Sequence, residues 1–345
     1  MKYKLLGKSG LRVSELALGS ATFGEDWGFG SSKEESKRVF DTFVDAGGNF
    51  IDTANKYNDG TSESFLGEFI PSEREKLVLS TKYSLSTSND NVNSNGNHRK
   101  NMVYSLEQSL KRLKTDYVDM LFVHIWDFVT PAEEIMRGLD DLVRSGKVLY
   151  VGISDSPAWL VSRANTLAEL RGWSQFIGVQ TEYSLINRDS EREIIPMAKN
   201  LDIGVLAWSP IGGGILTGKY DKNNIDATDS KRVERNRKIN RITDRNFVIA
   251  DEVKRISEET GYTCSQIALN WVRQRGGIIP IIGARTDAQL RENLSCLKFE
   301  LSSEFMNRLN EVSKIELGFP YDFANNDLIK KLIYGETFSS ICFDK

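Results

Sequence analysis

The sequence predicts an α/β protein built as a (β/α)8 TIM barrel, with an N-terminal β-hairpin and a C-terminal extension. Three observations carry this reading. Eight short apolar, β-branched runs alternate with longer helical patterns along the 345 residues. Alternation of strand and helix is the pattern of a parallel sheet wrapped by helices. None of the runs alternates cleanly between apolar and polar, as strands buried on both faces read. Eight such units favour a closed barrel over an open doubly wound sheet.

The elements follow in order. The opening KYKLLGKSGLRVSEL reads as a hairpin about the GKSG turn, spanning 1–15 and placed to plug the bottom of a barrel. The first four strands are LALGSATF (16–23), NFIDTA (49–54), LVLSTKY (77–83) and VDMLFVHIW (118–126). The next four are LYVGISD (149–155), FIGVQTEYS (176–184), IGVLAWSP (203–210) and GIIPIIGA (277–284). Between them, Val103, Leu106, Leu110 and Leu113 recur at helical spacing within 98–116, and Ile135, Leu139, Leu142 and Val143 do so within 131–146. SDSPAW places an Asp or Ser N-cap before Pro157 at the first helical position. The connection 211–243 is long for a βα loop. No Pro/Gly/Ser linker divides the chain, so 1–345 reads as a single domain with a tail at 316–345.

Bulk composition excludes several function classes. Lys plus Arg number 45 against 48 Asp plus Glu, a formal charge of -3, which gives no reason to expect nucleic acid or an anionic membrane as partner. The apolar stretches are too short to cross a bilayer, and the N-terminus lacks the apolar core of a signal peptide. Cys264, Cys296 and Cys342 are odd in number and widely spaced, as free thiols in a reducing cytosol are. The only histidines are His98 and His124, so no histidine-rich metal site is expected. The expectation is a cytoplasmic protein with a small-molecule substrate and no metal; nothing in the sequence points to a protein partner.

In a barrel of this class the C-terminal strand ends and the loops after them form the active-site face. Asp52 ends the second strand, Tyr57 lies in the loop after it, Lys82 ends the third and His124 the fourth. Taken alone, each has a structural explanation: a core tyrosine, a snorkelling lysine, a bonded core histidine, an Asp–Lys ion pair. Their joint occurrence at one end of three neighbouring strands points to chemistry instead. Asp52 is expected to pair with Lys82, offsetting burial of both charges. The lysine ammonium is expected to lower the Tyr57 pKa by roughly one to three units. A ring N–H of His124 would orient a carbonyl oxygen. The set describes protonation of a developing alkoxide by Tyr57.

These motifs resemble those of the aldo-keto reductases along essentially the whole chain. LALGSATFG, DTANKY, LSTKY, DMLFVHIWD, WSPIGGGILTGKY (208–220) and GARTDAQLREN (283–293) occur in the family's order. The branch resembled is that of the aryl-alcohol dehydrogenases and the potassium-channel β-subunits. The resemblance implies NADPH-dependent reduction of a small carbonyl compound, with Tyr57 as acid, Lys82 and Asp52 tuning it, and His124 orienting the carbonyl. It implies nicotinamide contacts from Ser154, Asp155 and Gln180, with Trp208 stacked on the ring. The family commonly has Asn where Asp155 stands, and a carboxylate accepts an amide N–H but cannot donate to its carbonyl. Further implied cofactor contacts are Ser20, Ser209, Pro210, Ile211, Gly213 and Lys219, the last two near the pyrophosphate. Arg285 is implied at the 2'-phosphate with Arg291 as an assistant, and Gln289, Glu292 and Asn293 on the adenosine half. Arg232, within KRVERNRKINR, is a candidate for closing the loop over the phosphates. Phe23, Trp27 and Trp126 are candidate walls of the substrate pocket, and the tail around FPYDFANND (319–327) is expected either over the mouth or on the outer helices.

Three other readings remain open on sequence. One is a regulatory or interaction protein of the channel β-subunit type, holding NADPH with slow turnover. Another is a barrel isomerase or phosphate-sugar enzyme. The third, a nucleoside triphosphatase, rests on GxxxxGK from Gly213 to Lys219, but Tyr220 stands where the magnesium-binding Ser/Thr is required.

Overall fold

The computed structural model describes residues 1–70, 74–222, 224–225 and 231–341. Among the described residues there are ten strands: β1 (Tyr3–Leu5), β2 (Arg12–Ser14), β3 (Ala17–Gly19), β4 (Phe50–Asp52), β5 (Val78–Tyr83), β6 (Val118–Val123), β7 (Val148–Ser154), β8 (Phe176–Glu182), β9 (Gly204–Trp208) and β10 (Ile278–Ile282). The first two pair antiparallel as the expected hairpin. The other eight close into a parallel barrel in chain order, β10 pairing with β3.

The barrel has two apolar layers because each strand buries both faces. Ile51, Leu79, Leu121, Val123, Ile153, Val179 and Val205 pack outward under the helices. Phe50, Val78, Met120, Phe122, Leu206, Ile279 and Ile281 pack inward. Small residues make room for the large ones: a Cβ on Gly152 would strike the Phe122 ring, and one on Gly178 would press on Met120.

The hairpin seals the N-terminal end. Leu6 and Val13 are fully buried in the same inner cluster as Phe50 and Phe122. Burying two such side chains contributes about 3–5 kcal/mol. That matters because an isolated two-stranded hairpin is marginal at best. Lys8 N–H also donates to the Asp202 carbonyl, just before β9.

Some local expectations shift. The helix Arg99–Leu113 buries Met102, Leu106, Leu110 and Leu113, whereas Val103 is 38% exposed. The periodic face therefore starts one residue earlier than Val103 suggested. Pro157 is itself the N-cap, the helix is Ala158–Arg171, and no side chain caps it. The first turn is closed by backbone instead, Leu160 and Val161 N–H both donating to the Pro157 carbonyl. The connection 211–243 contains a 3-10 segment, Gly212–Thr217, and a short helix, Lys231–Lys238. The tail forms two short helices, Tyr321–Asn325 and Asp327–Tyr334. Cys264 and Cys296 are free and buried, while Cys342 lies outside the described residues. Among the described residues, no helix is long and apolar enough to cross a membrane.

Candidate active site

Strand alternation builds the site. Stepping two residues up each inward face brings a polar side chain to the top of each strand: Phe50 gives way to Asp52, Ser80 to Lys82, and Phe122 to His124. Gly178 likewise gives way to Gln180, and Leu206 to Trp208. The cap of this inner column is therefore polar by register alone.

Lys82 is fully buried, and its Nζ makes three contacts: Asp52 Oδ2 at 2.6 Å, the Thr53 carbonyl at 2.8 Å and Tyr57 Oη at 3.3 Å. Asp52 Oδ1 accepts from the Ser80 hydroxyl at 2.9 Å and from Gln180 Nε2 at 3.0 Å. Both oxygens of the buried carboxylate are thereby hydrogen-bonded, which helps a buried ion pair to be tolerated. Burial alone would lower the Lys82 pKa, but Asp52 and Tyr57 more than offset it and the net direction is up.

Tyr57 differs from expectation. Burial raises its pKa, Lys82 lowers it, Asp52 raises it, and the net direction is up. The main cause is burial, which penalises the phenolate; Asp52, paired with Lys82 at 2.6 Å, offsets part of the lysine's opposing pull. Tyr57 therefore rests as a protonated acid. The His124 ring stands at 81° to Tyr57, with centroids 5.8 Å apart. Burial and the Lys82 charge push His124 down to about 3, so it is neutral near pH 7. Its Nδ1 is buried without a partner, which favours placing the single proton on Nε2.

The proposed wall residues separate. Trp27 packs edge-on against Tyr57, ring centroids 6.1 Å apart. Phe23 is fully buried against Phe69 in the layer between barrel and helices, not at the mouth. Its chain turns at Gly24 (φ +109), and Asn58 Nδ2 donates to the Ala21 and Phe23 carbonyls, which fixes that outward direction. Trp126 is 5% exposed and lines a neighbouring cleft of about 290 Å³ with Phe128, Trp159 and Arg163.

The residues implied for a dinucleotide lie along the ends of β7 to β10. Ser154 and Gln180 are buried beside Asp52 and Asp155, and Trp208 Nε1 donates to Asp155 Oδ1 at 2.9 Å. Arg241 lies over the Trp208 ring at 5.7 Å and pairs with Glu182. Ser20 is fully buried, its hydroxyl bonded to the Asp52 carbonyl at 3.0 Å and approached by Ser62 at 2.8 Å. Ser209, Pro210 and Ile211 lead into Gly212, Gly213 and Gly214, whose φ values are +60, +63 and +102. Such a left-handed run suits glycine, and a Cβ on Gly213 would strike Arg241 and Asn236. Lys219 is exposed just beyond. Past β10, Thr286 caps the helix Asp287–Leu294, and Gln289 Oε1 accepts from the Arg285 N–H at 3.0 Å. Asn293 Nδ2 donates to the Gly283 carbonyl, and Glu292 follows the same turn. Arg291 is turned to Asp287 and Thr42 instead.

Whether these residues fit a phosphorylated dinucleotide turns on Arg232 and Arg285. Arg232 is half-buried over the Phe29 ring; burial and the neighbouring Arg285 both lower its pKa. Among the described residues neither guanidinium has a carboxylate partner. Two adjacent unpaired cations beside a glycine run fit an anionic group.

Sequence reasoning named the four central residues but not Ser80, Thr53 or Ser62. Ser80 stands two residues before Lys82 on the same strand, and that spacing is the signal that would have found it.

A barrel that gathers a phenol, a buried ammonium–carboxylate pair and a neutral imidazole at its C-terminal mouth has the equipment of an oxidoreductase acting on carbonyl or hydroxyl groups. Comparison with known proteins agrees. The family model described as "Aldo/keto reductase family" matches residues 15–314, and the chain belongs to that family. It is 37% identical over 326 residues to norsolorinic acid reductase of Emericella nidulans, covering 91% of this chain and 82% of that one. It is 36% identical over 331 residues to the aryl-alcohol dehydrogenase [NADP(+)] of Phanerodontia chrysosporium, covering 90% and 86%. A putative aryl-alcohol dehydrogenase of Saccharomyces cerevisiae is 36% identical over 358 residues, covering 96% and 92%. The protein is an oxidoreductase of this family.

Proposed function

We propose that the protein reduces an aldehyde or ketone to its alcohol, reversibly, using NADPH, with Tyr57 as the proton donor. The observation that carries this reading is Lys82 Nζ, held 2.6 Å from Asp52 and 3.3 Å from the Tyr57 hydroxyl. When bound, the reduced nicotinamide supplies the hydride for the carbonyl carbon. Tyr57 gives its proton to the carbonyl oxygen as negative charge develops there. The phenolate left behind is stabilised by Lys82, whose charge is then no longer offset by Asp52 alone. His124 donates from Nε2 to the same oxygen and orients it.

In this reading Arg285 and Arg232 take the 2'-phosphate side, Gly213 and Lys219 the pyrophosphate, and Gln289, Glu292 and Asn293 the adenosine. Ser154, Asp155 and Gln180 face the carboxamide, and Trp208 the ring. The 2'-phosphate is what separates NADPH from NADH, so the guanidinium pair supports the former. Trp27 beside Tyr57, and relatives named for aryl alcohols and norsolorinic acid, support an aromatic carbonyl substrate.

Purified protein should oxidise NADPH in the presence of aromatic aldehydes. Tyr57→Phe should lower turnover by about 10³-fold or more while leaving the NADPH dissociation constant unchanged. Tight NADPH binding with no turnover on any aldehyde or ketone would instead favour a slow-turnover, channel β-subunit-like role. Absence of any change in nicotinamide fluorescence on titration would remove the dinucleotide reading altogether.

A further inference from the structure

The family position usually filled by an amide carries a carboxylate in this chain. Asp155 follows the last residue of β7 in a left-handed conformation (φ +41) that Asp and Asn both tolerate. Its backbone N–H donates to the Gln180 carbonyl at 3.1 Å, which fixes the turn. One carboxylate oxygen accepts from the Trp208 indole at 2.9 Å. The side chain keeps an exposed face toward the mouth while protein crowds it elsewhere. No cation bonds it directly among the described residues: Lys82 is committed to Asp52, and Arg241 to Glu182. Asp155 is thus a carboxylate one hydrogen bond from the ring assigned to the nicotinamide, without a counter-ion of its own.

We propose that Asp155 sets which redox form of the dinucleotide the site prefers: its carboxylate acts as counter-ion to the positively charged oxidised nicotinamide, and that preference disappears when it is protonated. This rests on the dinucleotide reading above. The two redox forms differ by one positive charge on the ring, so a nearby negative charge discriminates between them by Coulomb attraction alone. An asparagine in the same place offers a dipole and no net charge.

The preference depends on pH with a definite sign. Crowding raises the Asp155 carboxyl to about 6, against which the indole bond works, while Glu182 pushes it further up. The groups facing it are Lys82 from β5, Tyr57 from the loop after β4, Glu182 at the end of β8, and Trp208 from β9. Between pH 5 and 8 Lys82 stays charged, Tyr57 protonated and nearby His124 neutral, while Glu182 is held by Arg241. Above about 6 Asp155 is ionised and the oxidised form gains; below it the gain is lost. The cofactor's 2'-phosphate also titrates near 6, but it is common to both forms and cancels from their ratio.

The test is binding. Dissociation constants for NADP+ and NADPH are measured by tryptophan quenching at intervals from pH 5 to 8, for the wild type and Asp155→Asn. Asparagine is isosteric and can still accept the indole bond, and unaltered circular dichroism checks the fold. In the wild type, the affinity for NADP+ relative to NADPH should rise by about tenfold with pH. In Asp155→Asn the ratio should be flat and lie at the low-pH value of the wild type. A wild-type ratio that does not change with pH overturns the proposal by itself, whatever the variant does. A pH-dependent ratio that persists in Asp155→Asn also overturns it, assigning the effect to another group. If neither dinucleotide binds the wild type, the underlying functional reading has failed instead.

Discussion

Lys82 is a charged side chain with no exposed surface, and its tolerance depends on three acceptors arranged around one nitrogen. Two of them, Asp52 and Tyr57, were legible because their motifs name them. The bond from Gln180 to Asp52 was not, since a contact between residues 128 positions apart needs the strand register to bring it about. The direction of the Tyr57 shift was also illegible, because it depends first on how deeply the fold buries the phenol and then on the balance of Lys82 against Asp52. His124 supplies a prediction at this scale. Its folded value is about 3 against the ordinary 6.5. As pH falls below 6.5 the unfolded chain takes up a proton that the folded protein refuses. Stability is then full above 6.5 and is lost progressively toward 3, by at most about 1.4 kcal/mol per pH unit. Thermal unfolding of wild type and His124→Gln should show a Tm gap that moves in the variant's favour between pH 7.5 and 5. A gap independent of pH would mean that the ring is protonated as readily in the folded protein as in the unfolded chain.

Among the elements, all eight barrel strands and the hairpin were legible, because apolar β-branched runs and turn residues mark them. Their lengths were less so: LALGSATF reads as eight residues, but only Ala17–Gly19 pair as strand. Ser20 N–H still donates to the Asp52 carbonyl, but beyond it the backbone bonds within its own turn and to the Ser31 loop. The helix Lys231–Lys238 was hidden in a basic run because it buries only Val233 and Asn236, too few to give a periodicity. The hairpin plug can be tested through one glycine. Gly7 has φ +53, and a Cβ there would lie 2.6 Å from the Asp202 carbonyl, 2.7 Å from that of Ile177 and 2.8 Å from Gly204 N. All three obstacles are backbone. Gly7→Ala should lower stability by about 2–4 kcal/mol in urea unfolding. Gly10→Ala, which meets nothing within 4 Å, should change it by less than about 0.5 kcal/mol. Equal midpoints for the two variants would show that the hairpin is not seated as described.

At the scale of the whole molecule, the closed barrel was legible from the count of βα units, but the tail was not. Its two helices pack on each other, and the bonds to the body come early: Arg245 to the Ser313 carbonyl, Arg192 to the Glu316 carbonyl, and Tyr321 to Glu193. Phe319 is 84% exposed and Leu332 73%, so little apolar area holds the segment to the barrel. A chain ending at Leu317 should keep its Tm within about 2 °C and bind NADPH unchanged. A larger fall in Tm would mean that the tail is fastened by contacts to the body. The opposite end of the barrel carries the heavier consequence. With Leu6 and Val13 closing the floor and Phe50, Met120, Phe122 and Leu206 filling the middle, the barrel is a solid post rather than a tube. Changes at its foot alter how firmly it stands, and changes at its rim alter what it does.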